Sequence, residues 1–340
     1  MRDAAIGRIL AVAGEYRLGE IRKFNRDHVE KWVKQFNLGT ADQLVILEET
    51  AHMLENYFIS KEAAREALER LFRKVIKDGI FGKRLDDVNF LSTQPKGKSQ
   101  SDLLLLADDI LIKSYGTSLD QCGGSNNYIY LDDAIYSGNR FRYDIENAIA
   151  KMRRDSIPTI VSFHIVKYTM GFDYALGNIR TALQSRDGKL KSYHLKKLNN
   201  NRFGNELLDI FWPKQHESEN VQAYIAHAER LRQSKGWASK PYFRTNQPTN
   251  PELFTTPKRQ QIVEKAFLEA GSKLVCAAQK PAPSMRPMGF EVLSTIGFGT
   301  PIITWRNIAN NCPLALWYGD PSYPVSHPFG QWYPLFPRKA

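Results

Sequence analysis

One stretch constrains this chain more than any other: Tyr128-Ile-Tyr-Leu-Asp-Asp-Ala-Ile-Tyr-Ser-Gly-Asn-Arg140. A short strand-forming run meets two carboxylates, Asp132 and Asp133. Three residues later a Ser-Gly turn opens a stretch with helical spacing, Phe141, Ile145, Ala148, Ile149 and Met152. A strand that feeds a helix through a glycine turn is a βα unit, and the pattern recurs on either side. Val88–Leu91 reads as a strand ahead of a helix from about Leu103. Thr159–Val166 reads as a strand buried on both faces, apolar at Ile160, Val161, Phe163 and Ile165. Repetition of strand, loop and helix predicts an α/β fold with a doubly wound, mostly parallel sheet.

The first 84 residues carry no strand signal and read as a helical region. A helix is expected over about 61–77, with Ala64, Leu68, Leu71, Phe72 and Val75 on its apolar face and a solvated charged face opposite. The expected organisation is therefore a helical region over 1–84 and an α/β core over 85–340. Within that core, about 169–258 reads as a basic and helical elaboration, and 289–340 as an aromatic-rich segment. In the elaboration, Val221, Tyr224, Ile225, Ala228 and Leu231 predict one helix, and a proline-rich run up to Pro257 predicts a long loop. Thr256 and Pro257 then start a helix that Gly271 is expected to end.

Composition excludes several classes. Three cysteines with no CxxC leave neither a disulfide framework nor a cysteine-rich zinc module. The longest apolar runs, such as Leu103–Ala107, fall far short of the ~20 residues of a membrane span. Ile9–Ala13 is too short for a secretory core of about 7–15 residues. A soluble, cytoplasmic protein with no membrane partner is expected. The net charge of +11 points to phosphate-rich partners.

Two loops hold the chemistry. At Ser137, Gly138, Asn139 and Arg140, backbone N–H groups at a helix start form an anion nest suited to a phosphate. Asp132 and Asp133 suit a ribose diol, or Mg²⁺ held through water. Capping the helix alone needs only one Asp. One unit earlier, Gln94, Lys96, Gly97, Lys98 and Ser99 place two lysines and hydroxyls at another helix start, which suits a polyphosphate. A P-loop reading takes Gly97-Lys98-Ser99 as Walker A and Leu131-Asp132-Asp133 as Walker B. That pattern requires a glycine where Ser92 stands, and Pro95 removes an N–H from the loop.

The Asp132–Arg140 stretch resembles the phosphoribosyl-pyrophosphate (PRPP) motif of type I phosphoribosyltransferases. By that resemblance the catalytic Asp132 and Asp133 bind the ribose hydroxyls, with Mg²⁺ as cofactor, and Ser137–Arg140 bind the 5′-phosphate. The segment Gln94–Ser101 matches the pyrophosphate loop. Arg140 departs from the pattern, standing where the family usually has a second Thr or Ser; an arginine there substitutes electrostatically. The C-terminal run Gly289-Phe290, Gly297-Phe298-Gly299, Trp305–Trp317 and Trp332–Arg338 looks like the signature end of the phosphoribosyltransferase-like family of bacterial conflict systems, PRTase-CE. Arg259, Glu264, Phe267-Leu268 and the early Trp32, Gln35-Phe36 are similar to it too. The resemblance implies a type I phosphoribosyltransferase-like fold and an antiphage-defence role, including retron loci with a reverse transcriptase and its RNA–DNA hybrid. Type I enzymes are often dimers, so a homo-oligomer is implied as well.

Independently of the family, Trp305, Trp317, Tyr318 and Trp332 offer flat faces for base stacking. Arg306, Asn307, Asn310 and Asn311 offer donors and acceptors for a base edge, so Trp305–Asn311 are the candidate acceptor site. PRPP or a nucleotide-like molecule is the expected small-molecule partner, its ribosyl group passing to an acceptor or to water. No residue stands out as a catalytic base, and His164, inside an apolar strand, reads as structural. A rival of another class is an inactive fold that binds nucleotides or nucleic acid, or scaffolds a complex. Arg186–Arg202 supports it, with Lys189, Lys191, Lys196, Lys197 and Arg202 as a nucleic-acid patch.

Overall fold

The alternation of strand and helix starts earlier and runs further than the sequence patterns predict. The computed structural model describes residues 1–340 apart from 22–23, 95–97, 205, 279 and 339–340. The chain opens with α1 (Arg2–Ala13), α2 (Arg26–Lys34), α3 (Thr40–Tyr57), β1 (Phe58–Ile59) and α4 (Lys61–Lys77). It continues with β2 (Asn89–Leu91), α5 (Lys98–Tyr115), β3 (Asn127–Ile135), α6 (Asn139–Lys151), β4 (Thr159–Tyr168), α7 (Thr169–Gln184) and β5 (Lys189–Leu198). It closes with α8 (Glu219–Lys235), α9 (Pro257–Ala277), β6 (Ile303–Thr304) and α10 (Leu314–Trp317). These elements form two compact units, residues 61–201 and residues 1–60 with 202–340. Among the described residues, no helix is long and apolar enough to cross a membrane.

Residues 61–201 are the α/β unit. Four parallel strands lie in the order β2-β3-β4-β5, in a register that aligns Asp132 with His164 and His164 with His194. Phe141, Ile145 and Ile149 of α6 and Phe172, Ala175, Ile179 and Leu183 of α7 pack on Tyr130 and Ile160. β4 is buried along nearly its whole length, as its two-faced apolar pattern predicts. The α/β class with a parallel sheet is as expected.

Two elements, α7 and β5, stand where the sequence predicts a basic and helical elaboration with no strand. They extend the same sheet unit. The division between units also falls at 60/61 and 201/202 rather than at 84/85. α4 belongs with the sheet, since Phe72 packs edge-on to Phe90 at 6.0 Å and to Tyr115 at 6.2 Å. An amphipathic helix does not declare which core its apolar face will join, so its composition groups it with the helices before it. Its charged face is solvated as expected, with Arg70–Glu66 and Arg73–Glu69 pairs one turn apart.

The other unit is mainly helical and draws on both ends of the chain. Trp32 is fully buried and its indole N–H donates to the Ala315 carbonyl at 2.8 Å. Gln35 Nε2 donates to the Tyr333 carbonyl at 2.8 Å, and Gln35 Oε1 accepts from the Tyr333 N–H at 2.6 Å. The His28 ring nitrogens meet the Leu335 carbonyl at 2.7 Å and the Tyr333 hydroxyl at 2.8 Å. β1 and β6 pair in parallel through Phe58 with Ile303 and Ile59 with Thr304. Thr256 caps α9 by accepting from the Arg259 N–H, with Pro257 in the first turn. Gly271 does not end that helix, which continues to Ala277. A Cβ at 271 would lie 2.4 Å from the Pro287 carbonyl oxygen, so this glycine permits a close approach instead of a stop.

Candidate functional site

β3 does not stop at Leu131. It runs to Ile135, so Asp132 and Asp133 lie on the strand itself and alternation sends their side chains to opposite faces. Asp132 shares a face with Tyr130 and is 5% exposed, whereas Asp133 is partly exposed.

Four donors converge on Asp132. Its Oδ1 accepts from the Ser99 hydroxyl at 3.2 Å and the Asp133 N–H at 2.9 Å. Its Oδ2 accepts from Gln94 Nε2 at 2.9 Å and the Tyr130 hydroxyl at 3.0 Å. Burial still pushes the Asp132 carboxyl up to about 7, helped by the charge of Asp133 and opposed by the Asp133 N–H, Gln94 and Tyr130. The expectation that both aspartates face a ribose is thereby corrected: Asp132 is turned inward, and Asp133 is the member of the pair open to solvent.

A second buried carboxylate, Asp144 of α6, completes the cluster. Its Oδ2 accepts from the same Gln94 Nε2 at 2.9 Å, the same Tyr130 hydroxyl at 3.0 Å, and Arg140 Nε at 3.2 Å. Burial, reinforced by the two carboxylates, holds the Tyr130 phenol well above its ordinary range, so it stays a donor. Gln94 is oriented by Gln100, whose Oε1 accepts from the Thr93 N–H at 2.7 Å and the Gln94 N–H at 3.1 Å. Gln100 Nε2 in turn donates to the Leu131 carbonyl at 3.2 Å.

The turn that follows β3 is built on glycine. Gly138 has φ +77° and is the N-cap of α6, and no side chain caps this end. A Cβ at Gly138 would lie 2.0 Å from the Gly171 carbonyl oxygen, and one at Gly171 would lie 1.7 Å from the Tyr136 oxygen. Backbone therefore meets backbone where the turn crosses α7. Ser137, Asn139 and Arg140 are exposed beside it. A helix start with no side-chain cap presents N–H donors and the positive end of the helix dipole, the arrangement that receives a phosphate.

The structure thus brings together Gln94, Ser99, Asp132 and Arg140, and adds Tyr130, Gln100 and Asp144. Lys96 and Gly97 lie outside the described residues, and Lys98 opens α5. Asp144 had a sequence signal. It interrupts the buried stripe of α6 between Phe141 and Ile145, where a carboxylate needs a reason. Gln100 had none.

The remaining candidates are placed differently. Trp305–Asn311 belong to the helical unit and are tied into its own turns. The Trp305 N–H donates to the Ile59 carbonyl at 2.9 Å, and Asn311 Nδ2 donates to the Phe290 carbonyl at 2.6 Å. The Asn307 Oδ1 accepts from the Ile308 N–H at 3.1 Å, and the Asn310 carbonyl accepts from the Phe290 N–H at 2.9 Å. The Trp317 and Trp332 indole N–H groups donate to the Cys312 and Ala315 carbonyls, and both rings are buried. These two tryptophans pack; they do not offer open faces.

The basic run is mostly an edge strand. Alternation along β5 puts Lys189, Lys191 and Lys197 on one face and Lys196 on the other, so the four do not form one patch. Arg202 is already engaged, donating to the Gly297 carbonyl and facing Glu291 at 3.8 Å. His164 is 1% exposed, with Phe141 edge-on at 4.6 Å, in keeping with a structural role.

The family model PRTase-CE matches residues 29–338. The chain belongs to the PRTase-CE family. No curated protein and no solved structure matches it significantly. As a PRTase-CE protein it is a phosphoribosyltransferase-like member of the conflict-system proteins, and the match extends over residues of both units. Trp32, Gln35 and Phe36 near one end of the chain meet Trp332, Tyr333 and Leu335 near the other in the packing described above. Their role in this protein is to close the helical unit.

Proposed function

We propose that this PRTase-CE protein binds a ribose 5-phosphate compound, PRPP or a nucleotide, at the carboxyl end of β3. We place it in antiphage defence, as an effector or accessory subunit of a retron-type complex with a reverse transcriptase and its RNA–DNA hybrid. The observation that carries the binding reading is the pairing of a partly exposed Asp133 with the uncapped start of α6 at Gly138, a few residues on. The turn at Ser137–Arg140 holds the 5′-phosphate through N–H groups and the Arg140 guanidinium, and Asp133 accepts from the ribose diol. Asp132 keeps the strand and the Gln94 segment in place instead of touching the sugar.

No group of three or more His, Cys, Asp or Glu that could hold a metal exists among the described residues. Asp133 would hold Mg²⁺ through water, and the ion would supply neutralisation of charge on a departing pyrophosphate. The chain's own residues fix the phosphate end and the sugar, while the bond from C1′ to the pyrophosphate oxygen loosens toward an oxocarbenium-like state. An acceptor or water then takes the ribosyl group. One observation favours the second reading, a fold that binds without turnover. Asp132 spends both oxygens internally, so one member of the acidic pair is committed to holding the fold.

Calorimetry with PRPP, ribose 5-phosphate and nucleotides in Mg²⁺, followed by mass spectrometry of the mixture, separates these readings. Binding that falls about tenfold or more in Asp133→Asn supports the site. Released pyrophosphate or a ribosylated product marks a transferase or hydrolase, and binding with no product marks the inactive fold. Absence of binding by the wild-type protein to all of these ligands overturns both.

A further inference from the structure

We propose that Asp144 is a positioning residue that ties the phosphate turn to the segment ahead of α5. The inference rests on the ribose-phosphate reading of the site and names how its two ends are set together. Three donors from three places in the chain meet on one oxygen, Asp144 Oδ2: Arg140 from the turn, Tyr130 from β3 and Gln94 from the segment before α5. The Asp144 side chain is 3% exposed, and it lies too deep in α6 to cap the helix. A buried carboxylate carries a desolvation cost that its hydrogen bonds must offset, and here those bonds join separate segments.

The proton inventory makes the tie rigid. Gln94 Nε2 has two hydrogens and two carboxylate oxygens at 2.9 Å, one from Asp132 and one from Asp144. Turning that amide over would set its oxygen against both carboxylates, so the nitrogen must point this way. Tyr130 has one hydrogen for the same two oxygens, each at 3.0 Å. Gln94 is thus held by both carboxylates at once, and a shift of either one moves it.

Arg140 is the outer end of the tie. Its side chain is 61% exposed, and the bond to Asp144 uses Nε. That bond orients the guanidinium and keeps the Nη1 and Nη2 fork for an anion at the turn. An anion drawing on Arg140 acts on Asp144 Oδ2, and through it on Gln94, which does not bond to Arg140. Phosphate at one end and pyrophosphate at the other would be read by a common group.

A double-mutant cycle tests this. Arg140→Gln and Gln94→Leu are combined, and PRPP affinity is measured by calorimetry in the Asp144 protein and in an Asp144→Asn background. Asp144→Asn alone should weaken PRPP about tenfold or more. The Arg140 and Gln94 effects should be non-additive by about threefold or more with Asp144 present, and additive in its absence. A residue that merely stabilises α6 would leave the Arg140–Gln94 coupling unchanged, and that result overturns the proposal. A ligand-free measurement protects the test. In Arg140→Gln, an exposed change, amide exchange at Thr93 and Gln94 should rise severalfold; unchanged exchange overturns the tie. Should the wild-type protein bind no ribose phosphate, the functional reading falls, while the exchange experiment still decides the role of Asp144.

Discussion

An imidazole that is 1% exposed, with no hydrogen-bond partner for either ring nitrogen, is poorly placed to carry charge. Burial, with Lys167 and His194 nearby, pushes the His164 ring down to about 3. The unfolded chain takes up a proton near 6.5 that the folded chain refuses until about 3. Between those values the unfolded state binds more protons, so stability falls as pH falls, by up to ~1.4 kcal/mol per unit from this group. His164→Leu should remove that contribution. Urea midpoints of the two proteins, compared from pH 8 down to pH 5, should diverge with the wild type losing more. Parallel midpoints would show that His164 is protonated in the fold. The same residue illustrates what single positions disclose. Its place inside the apolar run Thr159–Val166 already marked it as structural, whereas its missing partners depend on what packs above the sheet.

At the scale of elements, glycine separates two kinds of turn and helix contact. Gly138 holds φ +77° and faces the Gly171 carbonyl, so Gly138→Ala should destabilise the fold by more than about 2 kcal/mol. Gly177 lies in α7 with nothing within 4 Å of a would-be Cβ, so Gly177→Ala should stabilise by about 0.5–1 kcal/mol. Chemical denaturation of both variants reads the contrast; equal effects would refute the backbone-on-backbone contact. The βα unit around Asp132 was legible because strand, turn and helix each carry their own local signal. α7 was not, since Gly171 and Gly177 lower its helix propensity and only tertiary packing fixes it. β5 was hidden by its lysines, which read as a solvated run until the sheet supplies the neighbour that makes them an edge. Of the candidate site, the glycine turn after β3 could be read, but Asp132's inward orientation could not. The strand's continuation to Ile135 beside β4 and the approach of Gln94 are both long-range facts.

For the whole molecule, the decisive feature is that one unit is continuous and the other is not. Residues 61–201 contain their own parallel sheet and its helices, so this segment expressed alone should fold and melt cooperatively. Residues 202–340 alone should not, because α9 and the C-terminal turns lose Trp32, Gln35 and the β1 strand. Circular dichroism melts of the two fragments check this, and a cooperative melt of 202–340 by itself would contradict the division.

The interlock of Gln35 with Tyr333 and His28 with Leu335 also sets an order of events on the ribosome. The α/β unit is complete once residue 201 has left the exit tunnel. The opening sixty residues by then have no partner to close on. At about 5–20 residues per second, they wait a further ~7 to ~27 s for the closing segment to be made. Through that interval the nascent chain exposes the apolar faces of α1, α2 and α3, which makes them the natural client for a holding chaperone.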